Sequence, residues 1–313
     1  MRQELRLKKE LPGITEEVLR SYKQSSIGNH IASTPLPSKT EAVQILKDVL
    51  EVLFPGYIGK QDLLWSNVRY FVGGKLDELY TRLALQIWRC IRHECKRLGS
   101  ACVHCEDKAE EDSLVFLRKL PEIREMLVED VQAAHEGDPA AKSIDEIIFS
   151  YPCLQAIGTY RIAHELYLLG VPLLPRMMTE WAHGQTGIDI HPAAKIGRRF
   201  FIDHGTGVVI GETCVIGNNV RIYQGVTLGA MSLENVDAMR GQKRHPTIED
   251  DVTIYSGTTI LGDNTIGKGS VVGGNVWLTQ SVPAHTKVFV EPPKHLFKVS
   301  RKAGGKGKGK RRT

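Results

Sequence analysis

"IEDDVTIYSGTTILGDNTIGKGSVVGGNVWL", Ile248 to Leu278, sets Ile248, Ile254, Ile260, Ile266, Val272 and Leu278 six residues apart. A beat of six is neither the 3.6 period of a helix nor the alternation of a long strand. It suits short strands that turn every six residues, each sending one aliphatic inward. Such strands close into a three-sided parallel β-helix of about 18 residues per coil. The same beat runs upstream through Ile190, Ile196 and Ile202, then Ile210, Ile216, Ile222 and Leu228. Thirteen aliphatics on one period are not chance.

The beat slips twice. From Ile202 to Ile210 is eight residues, and the interval "FFIDHGTGVVIGE" carries Asp203 and His204. From Leu228 to Ile248 is twenty, read as a full coil plus two, and that stretch ends in Arg244 and His245. Regular repeats are scaffold, so interruptions are where side chains leave the wall. Loops fixed to a rigid prism hold chemistry well.

Asp189 precedes the first beat residue. With coils of about 18, Gly207 is expected to stack over it at strand spacing, roughly 4.8 Å. His204, three residues away, is then within reach of the Asp189 carboxylate. A carboxylate there fixes the imidazole tautomer and stabilises the imidazolium formed as it takes a proton. Taken singly, Asp189 could cap a turn and His204 be a surface histidine; their coincidence with a repeat break argues for the catalytic reading.

Residues 1–183 read as a helical domain. "SKTEAVQILKDVLEVLFPG" opens with a capping-box pattern, Ser38 and Glu41, and stops at Pro55-Gly56. Leu76, Leu79, Leu83, Ile87 and Ile91 recur at three or four residues in a helix ended by Gly99. Further helices are expected near 110–136, 152–169 and 173–183, together forming a bundle. The prism follows over 184–290, and residues 291–313 form a basic tail expected to be disordered. The fold class expected is therefore α+β.

The net charge of +5 comes from that tail: nine Lys/Arg and no acid lie between Lys294 and Thr313, leaving 32 basic against 36 acidic side chains elsewhere. The basic balance is therefore no argument that the body binds nucleic acid; the tail is read as solvated, with contact to nucleic acid or an anionic surface as the alternative. No apolar run is long enough for a signal peptide or a membrane span, so a cytoplasmic protein is expected.

The segments "DIHPAAKIG", "DHGTGVVIGE", "GVTLG" and "RHPTIEDDVTI", in this order on a hexapeptide prism behind a helical domain, resemble serine O-acetyltransferase. The match is dense from Asp138 to Pro283. It implies the left-handed form of the β-helix, a hand that general crossover preferences would not supply. It also implies transfer of acetyl from acetyl-CoA, a co-substrate and not a resident cofactor, to the serine hydroxyl, on the way to cysteine. By the resemblance His204 is the general base and Asp189 its partner. Asp138 and Asp203 take the substrate ammonium, and Arg244 and His245 its carboxylate. Gly229, Ala230, Ser256 and Gly274 line the acetyl-CoA slot, which in the family lies between adjacent prisms of a trimer, sometimes paired into hexamers. No metal is implied.

Departures from the family are a longer loop before "RHP", "VEPPK" at Val290–Lys294 in place of "GVPA", and an end in "KRRT". Some members end in an isoleucine that enters the next enzyme of cysteine synthesis, so a cysteine synthase complex is not expected. Homoserine or another small hydroxy amino acid is the nearest alternative acceptor. A metal hydratase resembling the gamma-class carbonic anhydrases is more remote, since its histidine pair five apart is missing. Cys102-Val-His-Cys105 has metal-ligand spacing, with His93, Cys95 and His104 near. Without a second pair it is read as free thiols, with structural zinc and a redox pair as the alternatives. Cys90, Cys153 and Cys214 are read as packing residues.

Overall fold

Ser38 starts a helix as its pattern predicts, its hydroxyl accepting the Glu41 N–H at 3.2 Å. The computed structural model of the chain describes residues 8–25, 27–31, 33–231, 239, 241–292, 294 and 296–298. Its helices are α1 (Leu11–Gln24), α2 (Lys39–Leu53), α3 (Val68–Leu98), α4 (Cys105–Gly137), α5 (Ile144–Ser150), α6 (Pro152–Leu168) and α7 (Leu174–Thr186). Gly99 ends α3 in the left-handed conformation, φ 67°. Two helices were not expected: α1 buries none of its residues, and α5 is too short at seven residues to display a period. Leu46, Val49, Leu83, Ile87, Phe116, Ile123 and Ile162 make the core of the bundle. Among the described residues no helix is long and apolar enough to cross a membrane.

From Asp189 the chain winds into a left-handed parallel β-helix with three faces. The first face stacks Asp189–Ile190, Val209–Ile210, Thr227–Gly229, Thr259–Leu261 and Trp277–Leu278. The second stacks Lys195–Ile196, Val215–Ile216, Thr247–Ile248 and Thr265–Ile266. The third runs from Phe201–Ile202 through Arg221–Ile222, Thr253–Ile254 and Val271–Val272 to Lys287–Val288. Nearly all the six-beat aliphatics are buried, and so is a second column two residues earlier, including Ile188, Ala194, Phe200, Val208, Cys214, Val220, Val226 and Val252. That second column explains why a cysteine sits inside the prism.

The registers correct two readings. Asp189 pairs with Val209, twenty residues on, not with Gly207, because the first break lengthens that coil by two. The second break holds no extra coil. Thr227 pairs with Thr259, 32 residues on, whereas Val209 and Thr227 are 18 apart, so the break enlarges a single corner. The basic tail falls largely outside the described residues.

Buried polar contacts bind bundle to prism. Arg161 on α6 grips Asp130 on α4 at 2.5 and 2.8 Å and donates to the Gly197 carbonyl at 2.8 Å. Asp130 also accepts the Phe200 N–H at 2.9 Å. Tyr160 donates to the Ala194 carbonyl at 2.6 Å. Fully satisfied groups of this kind specify one docking geometry, since displacement would strand a buried charge.

Candidate active site

The site residues form two clusters on opposite edges of the first face. The first lies where the third face turns into the first, at the shorter repeat break. His204 has a left-handed backbone, φ 56°, and a side chain 71% exposed. Histidine is among the few residues that tolerate this conformation, and its use at a break thrusts the imidazole away from the wall. Its Nε2 stands 3.8 Å from Asp203 Oδ1.

Asp138 comes to this edge from the bundle. It follows the last residue of α4, Gly137, whose carbonyl accepts from Arg221 Nη1 at 3.1 Å. The Asp138 carboxylate accepts the Tyr151 hydroxyl at 2.5 Å and the Ala140 N–H at 2.8 Å. These bonds, the tyrosine's foremost, hold its carboxyl below the ordinary range and push the Tyr151 phenol up. Burial pushes the Asp203 carboxyl up; the neighbouring His204 opposes this, and the Asp138 charge adds to it. Two acids facing one opening suit a cation, whose arrival favours the ionised form of both.

The second cluster lies where the first face turns into the second. Asp189, His191, Glu212, Arg244 and His245, with Arg176 of α7, line a cavity of 230 Å³. Arg244 pairs with Glu212 and donates to the carbonyls of Met239 and Gln242 at 3.3 Å. The Thr213 hydroxyl accepts the N–H groups of Arg244 and His245 at 3.0 and 3.1 Å. His245 Nδ1 accepts the Thr213 N–H at 3.1 Å, so in the neutral ring the proton sits on Nε2. Burial, then the Arg244 charge, lowers the His245 pKa to about 4, and the same two kinds of effect, with Arg176 as the cation, lower that of His191. His245 is thus a neutral donor at physiological pH. Gly211 is required beneath it, because a Cβ there would lie 2.2 Å from Nε2. Burial acts to raise the Glu212 carboxyl, but the bond and charge of Arg244 prevail and hold it low.

Asp189 does not meet His204 within the chain. Its nearest cation is Arg176, with Nη1 3.7 Å from Oδ1, and both atoms are buried without a hydrogen-bond partner. The longer first coil is the cause: it moves Asp189 under Val209 and leaves His204 at the other edge. The expected acetyl-CoA residues divide in the same way. Gly229, paired with Leu261, and Ala230 continue the second cluster's edge. Ser256 and Gly274 touch each other on the His204 edge, where a Cβ on Gly274 would lie 3.2 Å from the Ser256 carbonyl. Tyr223 and Tyr255 stack there as well, centroids 5.0 Å apart.

Sequence reasoning gave no role to Tyr151, Arg176 or Glu212. Glu212 closes the quoted break and could have been found there. Tyr151 and Arg176 reach the site from helices, and nothing in their local sequence marks them. Elsewhere, Cys102 and Cys105 are set side by side within disulfide range, their Cα atoms 5.6 Å apart, an arrangement that suits the redox-pair alternative. Cys90, Cys153 and Cys214 are buried, and burial pushes each thiol up to about 12, as suits packing residues.

No family model matches the chain. It is 52% identical over 256 residues to a plasmid serine acetyltransferase of Synechococcus elongatus, covering 80% of each. Identity to the serine acetyltransferase of Bacillus subtilis is 46% over 177 residues, 56% of this chain and 79% of that protein. Among solved structures, serine acetyltransferase isoform 3 of Entamoeba histolytica in complex with cysteine superposes with a TM-score of 0.69 at 35% identity. That match covers 94% of this chain and 96% of the other. The serine acetyltransferase of Neisseria gonorrhoeae in complex with serine gives a TM-score of 0.53 at 26% identity, covering 85% and 100%.

Proposed function

The chain belongs to the serine acetyltransferase family, and we propose that each of its active sites is built from two subunits. The reaction is transfer of an acetyl group to the serine hydroxyl, with acetyl-CoA as the donor. The supporting observation is the division of the site: base and ammonium-binding acids on one edge of a prism face, guanidinium and neutral histidine on the other. A homotrimer that sets one edge against the opposite edge of its neighbour completes three sites at once, which is what a closed ring of heterologous contacts does. It also brings Asp189, which does not meet His204 of its own chain, to His204 of the adjacent subunit.

In such a site Asp138 and Asp203 hold the serine ammonium, and Arg244 with His245 Nε2–H from the neighbour holds its carboxylate. His204 takes the hydroxyl proton as the serine oxygen attacks the thioester carbonyl carbon. Asp189 of the neighbour orients the ring and stabilises the imidazolium. Collapse of the tetrahedral intermediate breaks the carbon–sulfur bond, and the leaving thiolate receives the proton from His204. O-acetylserine and free CoA result, with no covalent enzyme intermediate. The tyrosine pair, Ser256 and Gly274 flank the thioester approach on the base side, and Gly229 and Ala230 on the other.

The test is release of thiol from acetyl-CoA with serine, homoserine, threonine and ethanolamine in parallel. Serine should give the highest kcat/KM, and ethanolamine, which lacks the carboxylate, should lose at least tenfold. A preference for homoserine, or indifference to the carboxylate, would overturn the assignment of acceptor.

A further inference from the structure

At the tip of the α3–α4 hairpin three cysteines converge, and the acetyl transfer uses none of them. Cys95 lies in the last turn of α3, Cys102 in the link, and Cys105 opens α4. Their Sγ atoms lie within 4.8 Å of one another. The Cys95 and Cys105 sulfurs are 3.9 Å apart. Tetrahedral zinc with zinc–sulfur bonds of about 2.3 Å sets its sulfurs about 3.8 Å apart, so this pair already has the spacing of two thiolates on one ion. The turn between the helices is fixed from the same residue, since Ser100 donates its N–H to the Cys95 carbonyl at 2.9 Å. The N-terminus of α4 favours a thiolate at Cys105.

We propose that the reduced form of this trio binds one thiophilic divalent cation of the zinc class. Cys95, Cys102 and Cys105 are the three thiolate ligands, and a water molecule takes the fourth position. Ion and disulfide exclude each other. A dithiol reductant gives two electrons and two protons to the Cys102–Cys105 bond and becomes a disulfide itself. The two freed thiols and that of Cys95 then lose their protons to solvent as the ion binds. A small-molecule disulfide takes the two electrons back from Cys102 and Cys105, becoming two thiolates, and the ion is released. The site clamps α3 to α4 at the end remote from the catalytic edge: α4 has 33 residues, about 50 Å of helix between Cys105 and Asp138.

The experiment titrates the full-length chain, reduced with a dithiol that is then removed without air, with Co²⁺ as a visible probe. One equivalent should bind with intense sulfur-to-cobalt charge-transfer absorption and be displaced by one equivalent of Zn²⁺. Cys95→Ser should weaken cobalt binding about tenfold or more and reduce that absorption, while circular dichroism and acetyl transfer stay at wild-type values. Reoxidation of the wild type should release the ion. Absence of charge-transfer absorption in the reduced protein would overturn the proposal. So would a titration that Cys95→Ser leaves unchanged, because two thiolates from Cys102 and Cys105 would then be all the site has.

Discussion

Tyr151 donates its phenolic proton to Asp138 across 2.5 Å, tying the start of α6 to the end of α4 at the point where the bundle reaches His204. Tyr151→Phe keeps the ring and removes that bond. The KM for serine should rise about three- to tenfold, the effect of one lost hydrogen bond to a charged group, with the KM for acetyl-CoA unchanged. Because the bond is the main reason the Asp138 carboxyl titrates low, its loss should move the acid limb of kcat/KM for serine to higher pH. An unmoved limb with both KM values raised would mean that the tyrosine only packs.

His204→Asn should lower turnover about a hundredfold or more, the usual effect of losing a general base. Asparagine also accepts the left-handed backbone, so the variant separates chemistry from strain at this turn. Acetyl-CoA affinity, read by calorimetry, should survive. Near-normal turnover would end the proposed mechanism.

Arg244 faces the cavity and also fastens the corner loop through the carbonyls of Met239 and Gln242. If it binds the substrate carboxylate, Arg244→Ala should raise the KM for serine roughly tenfold to a hundredfold and barely affect that for acetyl-CoA. Lysine should rescue only in part, since it keeps the charge and loses the two-pronged geometry. A parallel rise in both constants would assign the arginine to the loop alone.

The prism could be read from sequence because its signal is repeated: Ile248, Ile254 and Ile260 each report the same inward position. The His204 break was visible as a departure from that beat. The Asp189–His204 pairing within one chain was not correct, because it assumed a coil of regular length through the very residues that lengthen it. Tyr151 and Arg176 escaped for a different reason. Their contacts depend on how helices dock against the prism, through Arg161, Asp130 and Tyr160, and docking leaves no local period. Asp138 is named only through the resemblance; its place follows from the turn after α4, where the Gly137 carbonyl accepts from Arg221, 84 residues further along the chain.

Burial and the Arg244 charge hold the His245 pKa at about 4, below its unfolded value near 6.5. Between those values the unfolded chain binds the proton and the folded chain does not, so this group makes stability fall as pH drops from 6.5 toward 4. His245→Asn should flatten that part of the curve of Tm against pH. An equal slope in variant and wild type would show that the ring is freely protonated in the fold.

The shared site is tested most directly by mixing two inactive proteins. His204→Asn supplies an intact Arg244 edge, and Arg244→Ala supplies an intact His204 edge. After dissociation and reassembly at equal amounts, random trimers contain about one complete site in four, so roughly a quarter of wild-type activity should return. Each variant reassembled alone should stay at its own low level. If the mixture shows only the mean of the two variants, base and guanidinium act within a single chain, and the two-subunit site is wrong.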